Sequence, residues 1–333
     1  MTPSLRFATR QHPIFVLGIL QRSGTNYLNN LLLLHPSIQP PGTIWEDFHL
    51  AHADMLLNYA EATARHWPSQ WKELLSAEMG DGALLRHLGR GIIGFMESQN
   101  EKGRLQNPRQ HEETGSVSLI SATPSVMNLH LFFDLFPDAA PIIVIRDGRA
   151  LVESGVRSFG WDYEEAVRMW RSGARRIIDF TADSKNSGRF FLARYEDLFS
   201  RNQDLMSDIF QFLGLERSVY DFDAARNMPV MGSSDLAKTE GRVHWKAVEK
   251  RAEFNPLERA GNWSSEMRSR FAWLASREME LLGYRVEKEA ARPIWNSLMD
   301  NLYGLELKVK HSFPAIGRRL KALRRRLLKM PAN

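Results

Sequence analysis

The sequence predicts an α/β fold built on a parallel sheet that is flanked by helices. Three short apolar runs predict buried strands, at Ile14–Leu17, Val117–Ile120 and Pro141–Ile145. A polar turn follows each run and helical patterns separate the runs, which is the order expected of a parallel sheet. Because ligands of such sheets bind beyond the carboxyl ends of the strands, we expect the functional site where these turns meet.

The turn after the first strand predicts an anion site. It leads into a helix that ends before Pro36, and it contains Arg22, Gly24 and Thr25. Backbone N–H groups at a helix N-terminus lack intrahelical acceptors and lie at the positive end of the helix dipole. Gly24 and Thr25 are therefore placed to hold a phosphate, with a hydroxyl from Thr25 and a charge from Arg22.

This turn differs from the loop that binds nucleoside triphosphates. That loop has four residues between its glycines and a lysine after the second one. Here five residues separate Gly18 from Gly24, no lysine follows, and the cation at Arg22 precedes the turn. A glycine turn without any ligand remains the alternative.

Instead, Arg22-Ser23-Gly24-Thr25 resembles the loop of the sulfotransferases that binds 3′-phosphoadenosine 5′-phosphosulfate (PAPS). The arginine form is similar to that of tyrosylprotein-type and bacterial members. The resemblance implies that Arg22 holds the bridging oxygen and 5′-phosphate, and that Ser23, Gly24, Thr25 and Asn26 contact the phosphosulfate. Tyr27 stands where cytosolic members carry an adenine-stacking tryptophan.

A second motif follows the strand at Pro141–Ile145. The segment from Arg146 to Ser154 reads R-D-G-R-A-x-x-x-S and resembles the family motif whose arginine and serine bind the 3′-phosphate. Arginine suits this role because its planar fork of donors matches a phosphate group.

Asp147 supports a competing hypothesis. An aspartate at the end of an apolar strand is also typical of the metal-holding residue of P-loop kinases and NTPases. Arg146 argues against that hypothesis because a neighbouring arginine would repel a magnesium ion. We expect Asp147 to be the N-cap of a helix over Arg149–Val156.

Later segments follow the family's order, so the resemblance spans roughly residues 14 to 285. Tyr195, in Y-E-D-L, stands where the family tyrosine contacts adenine, and the alternative is a core tyrosine. Ser233 and Ser234 are further cofactor candidates. Arg259, four residues before Trp263, is a candidate second cation for the 3′-phosphate, at a spacing that differs from the family's.

The catalytic base departs from the cytosolic pattern. The position of the family's histidine is occupied by Ala122. In tyrosylprotein sulfotransferases a glutamate some twenty residues after the loop arginine serves as base, and Glu46 lies a few residues beyond that spacing. Asp47, His49 and His52 are alternative bases, and a carboxylate that starts a helix is the structural alternative.

Composition limits the cellular setting and the partners. The chain has 333 residues and no cysteine, which excludes disulfides and thiolate metal sites. The net charge is +5, yet nine of the 44 basic residues follow Glu306, where no acid occurs, so the preceding chain has 35 bases against 39 acids. We therefore expect no nucleic acid partner. Without a predicted signal peptide or spanning segment, we expect a cytoplasmic protein.

The C-terminal segment predicts a basic amphipathic helix. Two hypotheses stay open: the helix lies on an anionic membrane surface, giving peripheral association, or its apolar stripe packs on the domain. The stripe consists of Phe313, Ile316, Leu320, Leu323 and Leu327.

We divide the chain into a sulfotransferase domain, 1–291, with an acceptor-facing insert at 50–116, and a helical extension, 292–333.

Together these features predict a PAPS-dependent sulfotransferase that needs no metal. Its acceptor carries a hydroxyl on a glycan, a lipid, a small molecule or a peptide tyrosine. The alternatives are a P-loop kinase or NTPase-like enzyme, and an inactive nucleotide-binding protein of this fold.

Overall fold

The computed structural model describes residues 12–39, 44, 46–79, 82–106, 117–229, 261, 263–286, 292–310 and 312–329. The chain forms two compact units. The first comprises Met1–Arg146 and Arg175–Phe254, and the second comprises Asp147–Ala174 and Asn255–Asn333.

The first unit contains a five-stranded sheet in which every neighbouring pair is parallel. The order is β2-β3-β1-β4-β5, so β1 lies between β3 and β4. The chain builds one side of β1 first and then crosses to the other, which places a topological switch point at the carboxyl end of β1. The α/β prediction is thus confirmed. The strands are β1 Ile14–Gly18, β2 Ile38–Gln39, β3 Val117–Thr123, β4 Ala140–Ile145 and β5 Phe191–Arg194.

β3 is three residues longer than the apolar run predicted. Ser121 and Thr123, expected in a turn, pair with Phe15 and Leu17 of β1. Both side chains are buried, and their hydroxyl oxygens lie 3.3 Å apart. A hydrogen-bonded hydroxyl pair can continue a strand inside a core, so polarity alone gave the wrong end.

The described residues also form thirteen α-helices. Most are longer than two turns, and α5, α8 and α10 are short. In chain order they are α1 Thr25–Leu32, α2 Ala53–Arg65, α3 Ser69–Met79, α4 Ala83–Gln106, α5 Phe132–Leu135, α6 Gly148–Phe159, α7 Tyr163–Ala182, α8 Asp197–Ser200, α9 Asn202–Leu213, α10 Phe222–Arg226, α11 Ser265–Leu281, α12 Pro293–Val309 and α13 Pro314–Leu327.

Helices cover both faces of the sheet in the first unit. On one face, alternate strand residues such as Val16 and Val144 share a core with Leu28 of α1 and Ile209 of α9. On the other face, the Phe15 ring stacks on Phe136, with ring centroids 4.8 Å apart. Burial on both faces explains why the strands read as continuous apolar runs.

The second unit has a buried cluster of charges. Arg270 is fully buried, forms an ion pair with Glu164, and lies 2.6 Å from an Asp300 carboxylate oxygen. Arg324 of α13 forms ion pairs with Asp162 at 2.9 Å and with Glu306 at 3.0 Å. Removing one partner from such a cluster leaves a buried charge uncompensated, so these contacts hold α13 within its unit.

Candidate anion-binding site at the end of β1

The loop Ile19–Gly24 joins β1 to α1 at the carboxyl edge of the sheet. The Ile19 N–H donates to the Val144 carbonyl at 3.0 Å, which ties the start of the loop to β4. The Leu20 N–H donates to the Ser23 hydroxyl at 3.1 Å, and the Ser23 hydroxyl donates to the Leu20 carbonyl. Ser23 therefore closes the turn with its side chain, and its predicted contact with a cofactor stays a prediction.

Two residues of this loop have left-handed backbone conformations. Arg22 has φ 73° and Gly24 has φ 96°. Glycine adopts such angles without strain, whereas for arginine they cost on the order of 1 kcal/mol or more. Strain of this kind concentrates at ligand clamps and active sites, which supports a functional assignment for the loop.

Gly24 also allows a close approach of the chain. A Cβ atom at this position would lie 2.2 Å from Cδ2 and 2.4 Å from Cε2 of Tyr195, which follows β5. Gly24 is therefore required both for its φ angle and for the space that Tyr195 fills.

The N-terminus of α1 opens from this loop. The N–H groups of Tyr27 and Leu28 both donate to the Gly24 carbonyl at 3.1 Å. No side chain of the described residues caps the helix. The earlier amides, at Thr25 and Asn26, belong to the positions that a helix leaves without internal acceptors. This geometry suits a phosphate or sulfate group.

Arg146 brings a buried cation to the same edge. It follows β4, is only 3% exposed, and donates from Nη1 to the Arg22 carbonyl at 2.8 Å. Its guanidinium carbon lies 4.0 Å from the centre of the Tyr195 ring. The ends of β4 and β5 and the loop after β1 thus meet at one arginine, as the predicted parallel sheet requires.

Tyr27 and Asn26 occupy the first turn of α1. Tyr27 is buried and its ring stacks on Phe199 at 5.0 Å. Burial and, to a smaller extent, the neighbouring Tyr195 raise the pKa of the Tyr27 hydroxyl. Its predicted contact with adenine stays a prediction and would require the ring face opposite Phe199. Asn26 is half-buried, and its Oδ1 has no hydrogen-bond partner among the residues described.

The candidate base Glu46 lies in the first unit beside a second carboxylate. It is half-buried, and burial, followed by the charge of Asp47, raises the pKa of Glu46 above its ordinary value. Asp47 is buried, with Oδ1 accepting from the His49 N–H at 2.9 Å. Its Oδ2 lacks a hydrogen-bond partner within the described part of the chain. The sequence named Asp47 as an alternative base, and Glu46 as the base stays a prediction.

The segment around Ser154 belongs to the second unit. Ser154 is fully buried in α6. Asp147 is the N-cap of α6, because its Oδ1 accepts from the Arg149 N–H at 2.8 Å. Its other oxygen lies 2.6 Å from the Arg149 guanidinium. The N-cap prediction is confirmed, and these contacts leave the metal-holding hypothesis for Asp147 unsupported.

Other predicted features are only partly described. Ser233, Ser234 and Arg259 lie outside the described residues, and so does Trp45, which precedes Glu46. The predicted acceptor-facing insert includes α2, α3 and α4, which line an open pocket of about 240 Å³. Its lining is mainly apolar and includes Leu57, Trp67 and Leu85.

A family model described as "Sulfotransferase family" matches residues 13–219. The match covers more than half of the chain and includes β1, the anion-binding loop, Arg146 and Tyr195. The protein therefore belongs to the sulfotransferase family, as its motifs predict. No match was found among curated proteins.

Solved structures with similarity to this chain include sulfotransferase domains of biosynthetic enzymes. The domain from the Synechococcus PCC 7002 olefin synthase is 22% identical, with 71% of this chain and 85% of that chain covered and a TM-score of 0.39. The domain from the curacin biosynthetic pathway is 16% identical, with 84% and 99% covered and a TM-score of 0.46. Sulfotransferase STF9 from Mycobacterium avium is 15% identical, with 85% and 79% covered and a TM-score of 0.38.

Proposed function

We propose that this protein transfers a sulfuryl group from PAPS to an acceptor hydroxyl. The observation that carries the proposal is the buried Arg146, whose Nη1 lies 2.8 Å from the Arg22 carbonyl beside the N-terminus of α1. Family membership supports the transfer of a sulfuryl group. The identity of the donor rests on the fit of these residues to a phosphosulfate.

The loop and Arg146 fit an anionic donor in three respects. Gly24 adopts without strain the φ angle of 96° with which the loop turns into the positive end of α1. The α1 N-terminus has no side-chain cap from the described residues, so a bound anion can take that place. Arg22 and Arg146 supply positive charge.

In the proposed reaction the acceptor oxygen forms a bond to sulfur while the bond from sulfur to the 5′-phosphate oxygen breaks. PAPS supplies the activated sulfuryl group and leaves as adenosine 3′,5′-bisphosphate. Negative charge grows on the departing phosphate oxygen. We assign the stabilisation of this charge to Arg22, with the amides of Gly24 and Thr25 and the side chain of Asn26 holding the donor in line.

The acceptor hydroxyl must lose its proton during transfer. We assign this step to Glu46, whose pKa is raised by burial and then by Asp47. A carboxylate with a raised pKa binds a proton more strongly than an ordinary glutamate does, which suits a general base. Asp47, His49 and His52 are the alternatives.

The remaining donor contacts follow the family resemblance. We assign Arg146 and Ser154 to the 3′-phosphate, and Tyr195 and Tyr27 to the adenine. Ser233, Ser234 and Arg259 are proposed as further donor contacts.

Calorimetric titration with adenosine 3′,5′-bisphosphate tests binding separately from catalysis. Radiolabelled PAPS, offered with acceptors of the glycan, lipid, phenol and tyrosyl-peptide classes, then tests transfer. We expect bisphosphate binding in wild type and its loss in Arg146→Ala. The matched control is Arg226→Ala, since Arg226 is highly exposed on α10 and forms an ion pair with Asp223, three residues before it.

Binding of the bisphosphate without transfer to any acceptor would favour the inactive nucleotide-binding protein. ATP hydrolysis or phosphoryl transfer, with no affinity for the bisphosphate, would overturn the proposal in favour of a kinase or NTPase-like enzyme.

A further inference from the structure

The C-terminal helix α13 is held against its unit by a buried arginine as well as by small and apolar residues. The side that faces its unit contains Gly317, Arg324 and, just past the helix end, Leu328, all of them buried. Arg324 donates to Asp162 at 2.9 Å and to Glu306 at 3.0 Å. A Cβ on Gly317 would lie 3.0 Å from Cα of Lys310, so the helix passes close to the end of α12. These contacts determine which residues of α13 point outward.

The apolar stripe of α13 lies largely on the exposed side. Phe313, immediately before the helix, is 59% exposed, Ile316 is 47% exposed and Leu323 is 45% exposed. Ile316 and Leu323 are seven residues apart and therefore share one helix face. The hypothesis that the whole stripe packs on the domain does not agree with this exposure, although the helix itself is docked.

Basic residues border this stripe. Arg319 and Arg326 follow Ile316 and Leu323 by three positions each, so they lie beside them on the helix surface. Both arginines are exposed, and so is Arg318. Since no acidic residue follows Glu306, nothing in this sequence segment offsets their charge.

We propose that α13 binds the surface of an anionic membrane, with Ile316, Leu323 and Phe313 entering the interface and Arg319 and Arg326 contacting lipid headgroups. A helix with an apolar stripe beside a dense row of arginines matches the chemistry of such a surface. The complementary charge distinguishes a lipid surface from a purely apolar partner. No helix among the described residues is long and apolar enough to span a membrane, so the contact would be peripheral. This inference does not depend on the proposed sulfuryl transfer.

Flotation of the full chain with lipid vesicles tests the proposal. We expect wild type to float with phosphatidylcholine vesicles that contain phosphatidylserine, to float less as salt increases, and to stay in solution with phosphatidylcholine alone. Arg319→Gln with Arg326→Gln should weaken binding by about fivefold for each arginine removed. The double variant Ile316→Ser, Leu323→Ser should abolish flotation.

Two matched controls separate the stripe from general surface effects. Ile294→Ser removes an apolar side chain that is 87% exposed on α12, and Arg226→Gln removes an exposed arginine in the first unit. Both should float like wild type. Thermal unfolding of every variant checks that the fold is kept, which we expect because all substituted side chains are exposed.

Three results would overturn the proposal. The first is equal flotation with neutral and anionic vesicles, and the second is wild-type flotation by the two double variants. The third is a wild type that does not bind vesicles and is a dimer in light scattering, while the double variant Ile316→Ser, Leu323→Ser is a monomer. The stripe would then be a contact between copies of the chain.

Discussion

The guanidinium of Arg146 lies 4.0 Å from the centre of the Tyr195 ring, while its Nη1 donates to the Arg22 carbonyl. One buried arginine thus links the residues that follow β4 and β5 to the loop that follows β1. A cation stacked on a tyrosine face and hydrogen-bonded at its edge has little freedom to move. Arg146 is therefore a preorganised charge at the edge of the sheet where we place the donor.

The first prediction concerns catalysis by Arg22. We expect Arg22→Gly to lower the turnover number more than tenfold, because removing one preorganised stabiliser of developing charge costs roughly 10²–10³. Glycine suits this position because the φ angle of 73° strains an ordinary residue. Transfer assays at saturating PAPS provide the measurement, with Arg226→Gly as the control. Near-normal turnover in Arg22→Gly would remove Arg22 from this role.

The second prediction separates donor affinity from chemistry. Arg146→Ala and Ser154→Ala should raise the KM for PAPS more than they lower the turnover number, since the charge of the 3′-phosphate does not change during transfer. Wild type should also bind adenosine 5′-phosphosulfate, which lacks the 3′-phosphate, more weakly than PAPS. Equal affinity for the two donors would contradict the 3′-phosphate assignment.

The third prediction isolates the contact between Gly24 and Tyr195. Gly24→Ala should destabilise the protein through backbone strain of about 1 kcal/mol and overpacking of about 1–3 kcal/mol. Gly188→Ala is the matched control, because Gly188 also has positive φ but has no atoms within 4 Å of the added Cβ. Urea unfolding should therefore show a larger loss for Gly24→Ala. Equal losses in the two variants would mean that the loop moves away from Tyr195.

The fourth prediction concerns the pH dependence of stability at His35. Burial lowers the pKa of His35, whose Nδ1 accepts from the Ser37 N–H at 3.1 Å while Nε2 lies 2.9 Å from the Glu216 carbonyl. The neutral ring is favoured, so below about pH 6.5 the unfolded chain binds a proton that the folded chain does not. The stability that the neutral His35 ring contributes is therefore fully present above that pH and is lost as pH falls towards the lowered pKa of His35.

Equilibrium unfolding between pH 8 and pH 5 measures this loss. His35→Gln should reduce the steepness of the decline, whereas His52→Gln should not, because His52 is exposed. If both variants keep the wild-type slope, His35 does not cause it.

The fifth prediction identifies the base. With Glu46 in this role, kcat/KM should rise with pH through an apparent pKa above that of an ordinary glutamate, because burial and then Asp47 raise its pKa. Glu46→Gln should remove that limb and most of the activity. If Glu46→Gln keeps the activity and the pH dependence while His49→Ala loses them, His49 is the base instead.

The sheet and the loop could be predicted from the sequence because their signals are local. Apolar runs predict β1 and β4, and Gly24 before an apolar-periodic segment predicts the start of α1. Tyr195 illustrates what local patterns miss. It is far from Gly24 in the sequence, so the close approach of its ring to Gly24 and Arg146 depends on strand order, which a single sequence does not specify.

The orientation of α13 shows the same limit. Periodicity predicts its amphipathic character but does not say which side faces the domain. Arg324 is buried because Asp162 and Glu306 are positioned to pair with it. Such pairing depends on acids brought from distant segments of the chain, and no window of the sequence contains it.

The ion pairs of Arg324 also bear on the order in which the protein folds during synthesis. Among the described residues, the strands of the first unit have all been made once the ribosome has passed Arg194. Asp162, by contrast, precedes its partner Arg324 by 162 residues. Lys321 and Arg324, which form ion pairs with Asp162, both belong to α13, so the Asp162 carboxylate gains them only after α13 has been synthesised.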